Sequence, residues 1–191
     1  MTSEQALQTL LDGNKRFVAG QARHPNQSSE RLAELVARGQ HPIAIIVSCS
    51  DSRIPPELVF DQGLGDIFVV RTAGQVLDDA ALASIEYAAE HLHVPLAVVL
   101  GHQDCGAVKA AVSGGDAPGH ISTLVKRIQP SVTKARAKGG DVLDAAVRIH
   151  ALSVARQIES SEPILSELVT DGRLKVVGAY YSLASGEVQI F

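Results

Sequence analysis

The reactive chemistry of this chain is concentrated in two short segments, Cys49-Ser50-Asp51-Ser52-Arg53 and Gly101-His102-Gln103-Asp104-Cys105-Gly106. Two thiolates and an imidazole form a soft-to-borderline donor set suited to zinc, with bonds of roughly 2.3 Å to sulfur and 2.0 Å to nitrogen. Three protein ligands leave one position of a tetrahedral ion open, which separates a catalytic metal from a closed structural one. Taken singly, a free cysteine is most often a small buried hydrophobe, and an aspartate and arginine two residues apart form a surface ion pair of little worth. Their placement argues for more. Both cysteines of the chain follow apolar runs, one lies three residues from a histidine, and the other lies two from an aspartate. A redox role is disfavoured because the cysteines lack C-x-x-C spacing.

The runs Ile43–Val47, Ile67–Val70, Leu96–Leu100 and Leu174–Val177 are continuous and rich in β-branched residues, as expected of parallel strands covered on both faces. Helical or loop segments separate them, which predicts an α/β fold. In such sheets, groups at the carboxyl ends of strands gather in one crevice where the winding direction reverses, so the two reactive segments can meet there. Thr2 and Gln5 form a capping-box pattern opening a helix that ends near Gly20, and Ser28 or Ser29 caps a second helix running to Gly39. Asp78 or Asp79 caps a helix containing Leu82, Ile85, Tyr87 and Ala88, closed before Pro95. Residues 114–119 read as a loop, while residues 120–138 and 141–160 have helical periodicity. Glu187–Phe191 alternates polar and apolar after the Ser185-Gly186 turn, as an antiparallel edge strand does. The expectation is one α/β domain over residues 1–191. Its central, mainly parallel sheet has four parallel strands plus an antiparallel edge strand and is flanked by helices. An extended N-terminal helical arm occupies residues 1–39 and the α/β core residues 40–191.

With 191 residues and 46% hydrophobic content, the chain can bury a substantial single core. A net charge of −4 gives no general attraction to nucleic acid or to an anionic membrane. The N-terminal segment has no basic region leading into an apolar stretch, and no run approaches the length of a transmembrane helix. Two cysteines and no export signal make a reduced, cytoplasmic setting the expectation.

The segments CSDSR and GHQDCG resemble the zinc signature of the β-class carbonic anhydrases, cysteine-x-aspartate-x-arginine followed by histidine-x-x-cysteine. The similarity extends through LLDGNKRF at 10–17, FDQGLGDIFVVRTAGQV and SIEYAAEHLHVPLAVVLGH, over roughly residues 7–112. The resemblance implies one zinc ion per chain on Cys49, His102 and Cys105. It also implies a gate in which Asp51 either pairs with Arg53 or swings onto zinc as a further ligand. Gln40, Phe68, Tyr87 and Gly106 are then expected at the substrate pocket, Phe68 and Tyr87 coming from a neighbouring subunit, so that the chain works as a homodimer or a dimer of dimers. The implied activity is reversible hydration of carbon dioxide to bicarbonate and a proton by zinc-bound hydroxide; the alternative is hydrolysis of carbonyl sulfide or carbon disulfide on the same scaffold. Members inhibited by bicarbonate at a separate site have a tryptophan where this chain has Ile46, although Arg71 matches another part of that site. Proton export could use His24, His41, His91, His93, His120 or His150, and the sequence selects none of them.

Overall fold

The computed structural model describes residues 1–191. Its frame is a five-stranded sheet in the order β2-β1-β3-β4-β5, built from β1 (Ala44–Cys49), β2 (Ile67–Thr72), β3 (Leu96–His102), β4 (Lys175–Tyr181) and β5 (Val188–Ile190). The first four strands are parallel and β5 runs antiparallel to β4, as the apolar runs and the alternating C-terminus predicted. Every residue of β1 and β3 is buried. Ile46, Val98 and Leu100 pack into the core on one face, and Ile45, Val47, Ala97 and Val99 into the core on the other. This two-sided burial explains why the runs are continuous rather than alternating.

Two of these strands extend further than the apolar runs suggested. Cys49 still pairs with Thr72 and His102 with Tyr181, so both occupy strand ends rather than the loops beyond them. A backbone ladder continues through polar residues when the neighbouring strand continues too, and hydropathy does not report that. The chain leaves β1 for β2 on one side and then crosses to β3 on the other, so the winding reverses between β1 and β3. Cys49 and His102 therefore end the two adjacent strands that flank the switch point.

The helices are α1 (Ser3–Val18), α2 (Ser29–Arg38), α3 (Pro56–Val59), α4 (Asp79–Glu86), α5 (Gly106–Ser113), α6 (Ile121–Lys138), α7 (Val142–Glu159) and α8 (Ile164–Thr170). Thr2 Oγ1 accepts from the Gln5 amide while Gln5 Oε1 accepts from the Thr2 amide, completing the expected capping box. Ser28 and Asp78 are the caps of α2 and α4. Tyr87 does not lie in regular helix, because α4 ends at Glu86 and widens into a π-helical turn over Tyr87–His91. The helices α3, α5 and α8 had no counterpart in the periodicity. They are short, between four and eight residues, which leaves a periodic pattern little length to repeat over. No helix is long and apolar enough to cross a membrane.

Asp61 fastens the N-terminal segment to this frame. Its fully buried carboxylate accepts from the Arg23 and His24 amides at 2.9–3.0 Å and from Arg16 Nε at 2.6 Å. Burial alone would raise its pKa, but these donors outweigh burial and the net shift is downward. A depressed folded-state pKa means that the stabilisation is complete above the unfolded value of about 3.9 and is lost as pH falls through the folded value. Asp61→Asn is expected to lower stability by about 1–3 kcal/mol at pH 7. The difference from wild type should vanish in acid, where Asp61 is itself neutral; urea unfolding at neutral and acidic pH measures both.

Candidate metal centre

β1 presents Cys49, β3 presents His102, and a turn through Asp104, whose φ is +53°, brings Cys105 to the start of α5. The three side chains are buried and their donor atoms lie within 4.8 Å of one another. The sulfurs of Cys49 and Cys105 are 4.0 Å apart. Two sulfurs bound to one tetrahedral ion at roughly 2.3 Å each would be about 3.8 Å apart, so the cradle has the right span.

His102 supplies the test of fit. Its Nδ1 is 2.9 Å from the Gln103 carbonyl oxygen, which can only accept, so Nδ1 carries the proton. Nε2 is left with its lone pair beside the two sulfurs, buried and without any partner. An unsatisfied buried nitrogen is costly, and a metal ion is the partner that this tautomer suits.

The sulfurs make the same demand electrostatically. A hydrogen bond from Cys105 draws the Cys49 thiol well below the usual thiol value, opposed by burial and aided by the amides of Gly74 and Asp51. Cys105 moves upward, because it gives that hydrogen bond, is buried, and faces the Cys49 charge. The amides of Val108 and Ala107, at the start of α5, favour its thiolate. Without a cation the pair therefore readily holds one negative charge and resists a second. A divalent ion removes that resistance by neutralising both.

Asp51 faces this group from the loop after β1, with Oδ2 4.0 Å from His102 Nε2. It is not one of the three clustered donors, since Arg53 holds it in a two-pronged pair, Nε to Oδ1 at 2.9 Å and Nη2 to Oδ2 at 2.7 Å. The Arg53 amide adds a third hydrogen bond at 2.9 Å. Arg53 is the main reason that the carboxyl is lowered to about 2, with burial opposing. Of the two gate positions implied by the resemblance, this structure has the paired one.

Several residues that the spacing did not single out hold the loop. Arg71 donates to the carbonyls of Cys49 and Asp51 at 2.9 and 2.6 Å, so its guanidinium is engaged internally. The Gly74 amide donates to Cys49 Sγ at 3.2 Å. Gly74 has a φ of +67°, and a Cβ there would fall 2.9 Å from the Ala107 methyl carbon. The available signal was a glycine just past a strand end, where backbone approaches something closely.

The expected pocket residues are not gathered around this cluster within one chain. Phe68 pairs with Ile45, four residues before Cys49, which places it roughly 13 Å down the sheet. Its ring is 6.5 Å from that of Tyr87, and Tyr87 is 49% exposed. Gln40 is exposed and precedes β1, at the opposite end of that strand from Cys49. Gly106 does adjoin Cys105, at the exposed first turn of α5, with open space where a Cβ would be. Among the histidines, His150 is buried with both ring nitrogens engaged, which removes it as a proton carrier to solvent.

Comparison with known proteins agrees with this geometry. The family profile described as carbonic anhydrase matches residues 44–188. A carbonic anhydrase of Mycolicibacterium smegmatis is 45% identical over 97% of this chain and 91% of its own length. Carbonic anhydrase 2 of Mycobacterium tuberculosis is 46% identical over 95% and 89%. Among solved structures, a Coccomyxa β-carbonic anhydrase in complex with acetazolamide superposes with a TM-score of 0.77 at 26% identity, covering 97% of this chain and 86% of that one. A tetrameric β-carbonic anhydrase of Sordaria macrospora gives 0.75 at 25% identity, covering 98% and 97%. The chain belongs to the carbonic anhydrase family, in its β class. It is an enzyme of a metal-dependent family, and its cysteine–histidine–cysteine cluster is suited to the metal.

Removing a donor should cost more than the roughly 10–100-fold in metal affinity that is typical of losing an outer hydrogen bond. Cys49→Ser and His102→Ala are expected to fall below stoichiometric uptake in a competition titration against a chromogenic chelator, with the fold retained by circular dichroism.

Proposed function

We propose that this chain hydrates carbon dioxide reversibly to bicarbonate and a proton, at one zinc ion held by Cys49, His102 and Cys105. The observation that carries this reading is the unpartnered Nε2 of His102, held in its metal-binding tautomer beside two sulfurs that are 4.0 Å apart. When bound, zinc lowers the pKa of a coordinated water from 15.7 to about 7, which supplies the nucleophile that carbon dioxide requires at neutral pH.

The protein's own groups do the rest. Asp51, its carboxyl lowered to about 2 by Arg53 and opposed by burial, is ionised at neutral pH and acts only as an acceptor. Its oxygen accepts a hydrogen bond from the attacking water and so orients a lone pair toward the substrate carbon. Arg53 keeps Asp51 in that post and off the metal, since both guanidinium nitrogens that face it are engaged with the carboxylate. The bare first turn of α5 at Gly106 leaves room for a small linear molecule beside Cys105.

Phe68, Tyr87 and Gln40 complete the pocket from a second copy of the chain. Three features support this assembly. β2 is the outer strand of the sheet and carries Phe68, with Tyr87 beside it. The helix α2 buries no residue, leaving Leu32 and Val36 at 53% and 81% exposure. The Sordaria macrospora relative is described as tetrameric. An exposed apolar helix face of this kind suits docking on another copy, which gives the N-terminal segment the role of an interface arm. The relatives described above are named carbonic anhydrases, which favours carbon dioxide over carbonyl sulfide or carbon disulfide.

Stopped-flow hydration on zinc-quantified protein tests the activity; sulfide release from carbonyl sulfide with negligible hydration would overturn the substrate. Arg53→Ala is expected to retain zinc yet lose about 10²-fold in kcat, the scale set by misplacing a group at the reaction centre. For the shared pocket, Cys49→Ser chains co-expressed with Gln40→Ala/Tyr87→Ala chains should regain activity, approaching about one quarter of wild type if subunits pair at random. Two inactive chains that stay inactive together would place the whole pocket within one subunit.

A further inference from the structure

Among the buried polar groups that the proposed chemistry does not use, His150 on α7 stands out. It is 4% exposed, and its two ring nitrogens bridge two other elements of the fold. Nε2 lies 2.9 Å from the carbonyl oxygen of Gly74, and Nδ1 lies 3.4 Å from Oγ of Ser131 on α6, a serine that is itself 2% exposed. A carbonyl only accepts, so Nε2 must carry the proton, and Nδ1 then accepts from the Ser131 hydroxyl. Burial pulls the His150 pKa down, with the Gly74 hydrogen bond opposing, which agrees with a neutral ring having one donor and one acceptor.

The other side of the Gly74 residue is the part that matters. Its amide N–H donates to Cys49 Sγ at 3.2 Å. Gly74 has a left-handed φ of +67° and is packed against Ala107 and Ile128, so its orientation is set by its surroundings rather than by its own preference. One hydrogen-bonded path therefore runs from Ser131 through the His150 ring and the Gly74 residue to a sulfur of the metal cluster. Deleting the donor at Nε2 would leave the Gly74 carbonyl buried and unpaired, and the turn would rotate to recover a partner.

We propose that His150 is a positioning residue for the metal centre: by gripping the Gly74 carbonyl it holds the Gly74 N–H on Cys49, and so limits the negative charge which that thiolate passes to the ion. A thiolate that receives a hydrogen bond is a poorer electron donor than a bare one. Cys49, with this added amide, then leaves a bound divalent ion more positive than two unrestrained thiolates would. The inference rests on the metal-centre reading given above and adds α6 and α7, which lie beyond the stretch of residues 7–112 that carries the family motifs, to the parts that tune it.

The test replaces the native ion by cobalt and reads the thiolate-to-cobalt charge-transfer band of wild type, His150→Leu and His150→Gln. A glutamine amide nitrogen reaches about where Nε2 sits and can donate; leucine cannot. We expect the band to move to longer wavelength in His150→Leu, as the sulfur becomes more electron-rich, and to stay near its wild-type position in His150→Gln. A purely structural role would lower the melting temperature of His150→Leu and leave the band in place, which would overturn the proposal. Should leucine prevent folding, nitrogen-15 NMR of the wild-type holoenzyme decides. The Nε2-protonated tautomer of His150 is expected, and an Nδ1-protonated ring would overturn the proposal. Wild-type protein that takes up no cobalt would overturn the metal-centre reading together with this one, whereas a cobalt-loaded chain whose band ignores position 150 overturns this one alone.

Discussion

Two buried sulfurs brought to within 4.0 Å, with an unpartnered imidazole nitrogen beside them, form the constraint on which the rest of this molecule turns. Like-charged thiolates in a poorly solvated place repel, and a lone nitrogen there lacks the hydrogen bond that burial makes necessary. A divalent cation relieves both conditions at once. The surrounding structure prepares for that ion by aiming the Gly74 amide at the Cys49 sulfur.

The sheet topology makes the convergence possible. Cys49 and His102 come from chain segments that are far apart in sequence, yet adjacent parallel strands end side by side, and the winding reverses between β1 and β3, the place where such sheets gather groups from their strand ends. Both faces of that platform are buried. The loop after β1 then has its carbonyls clamped by Arg71, and its carboxylate held by Arg53, so the position facing the ion is organised by charge-assisted hydrogen bonds rather than by packing.

The Asp51–Arg53 pair and the Phe68–Tyr87 pair follow different rules. Asp51 and Arg53 are close in sequence and meet by local geometry, which is why the pair is complete in a single chain. Phe68 and Tyr87 meet each other at the β2 side of the sheet but stand away from their own metal cluster. A single chain thus brings its three clustered donors and the Asp51–Arg53 pair together and leaves the Phe68–Tyr87 pair apart from both. Leu32 and Val36 on α2 are likewise exposed at the N-terminal end.

The sequence by itself determined the strands, the α/β class and the capped helices, and it singled out Cys49, His102 and Cys105 as candidate donors, because each leaves a local mark: β-branched runs, a capping box, cysteines spaced against a histidine and an aspartate. It did not reveal α3, α5 or α8, which are too short for a pattern to repeat over more than two turns, or the π-helical turn that carries Tyr87. Only the tertiary structure decided that Arg71 clamps the Cys49 loop, that Gly74 donates to a sulfur, and that His150, a residue indistinguishable in sequence from a surface proton carrier, is buried behind it. The tautomer of His102 was likewise decided by the Gln103 carbonyl at its back. The physical reason is common to all four: hydrogen bonds join backbone groups and side chains that topology brings together, and residue type and spacing do not encode which carbonyl a buried nitrogen will meet.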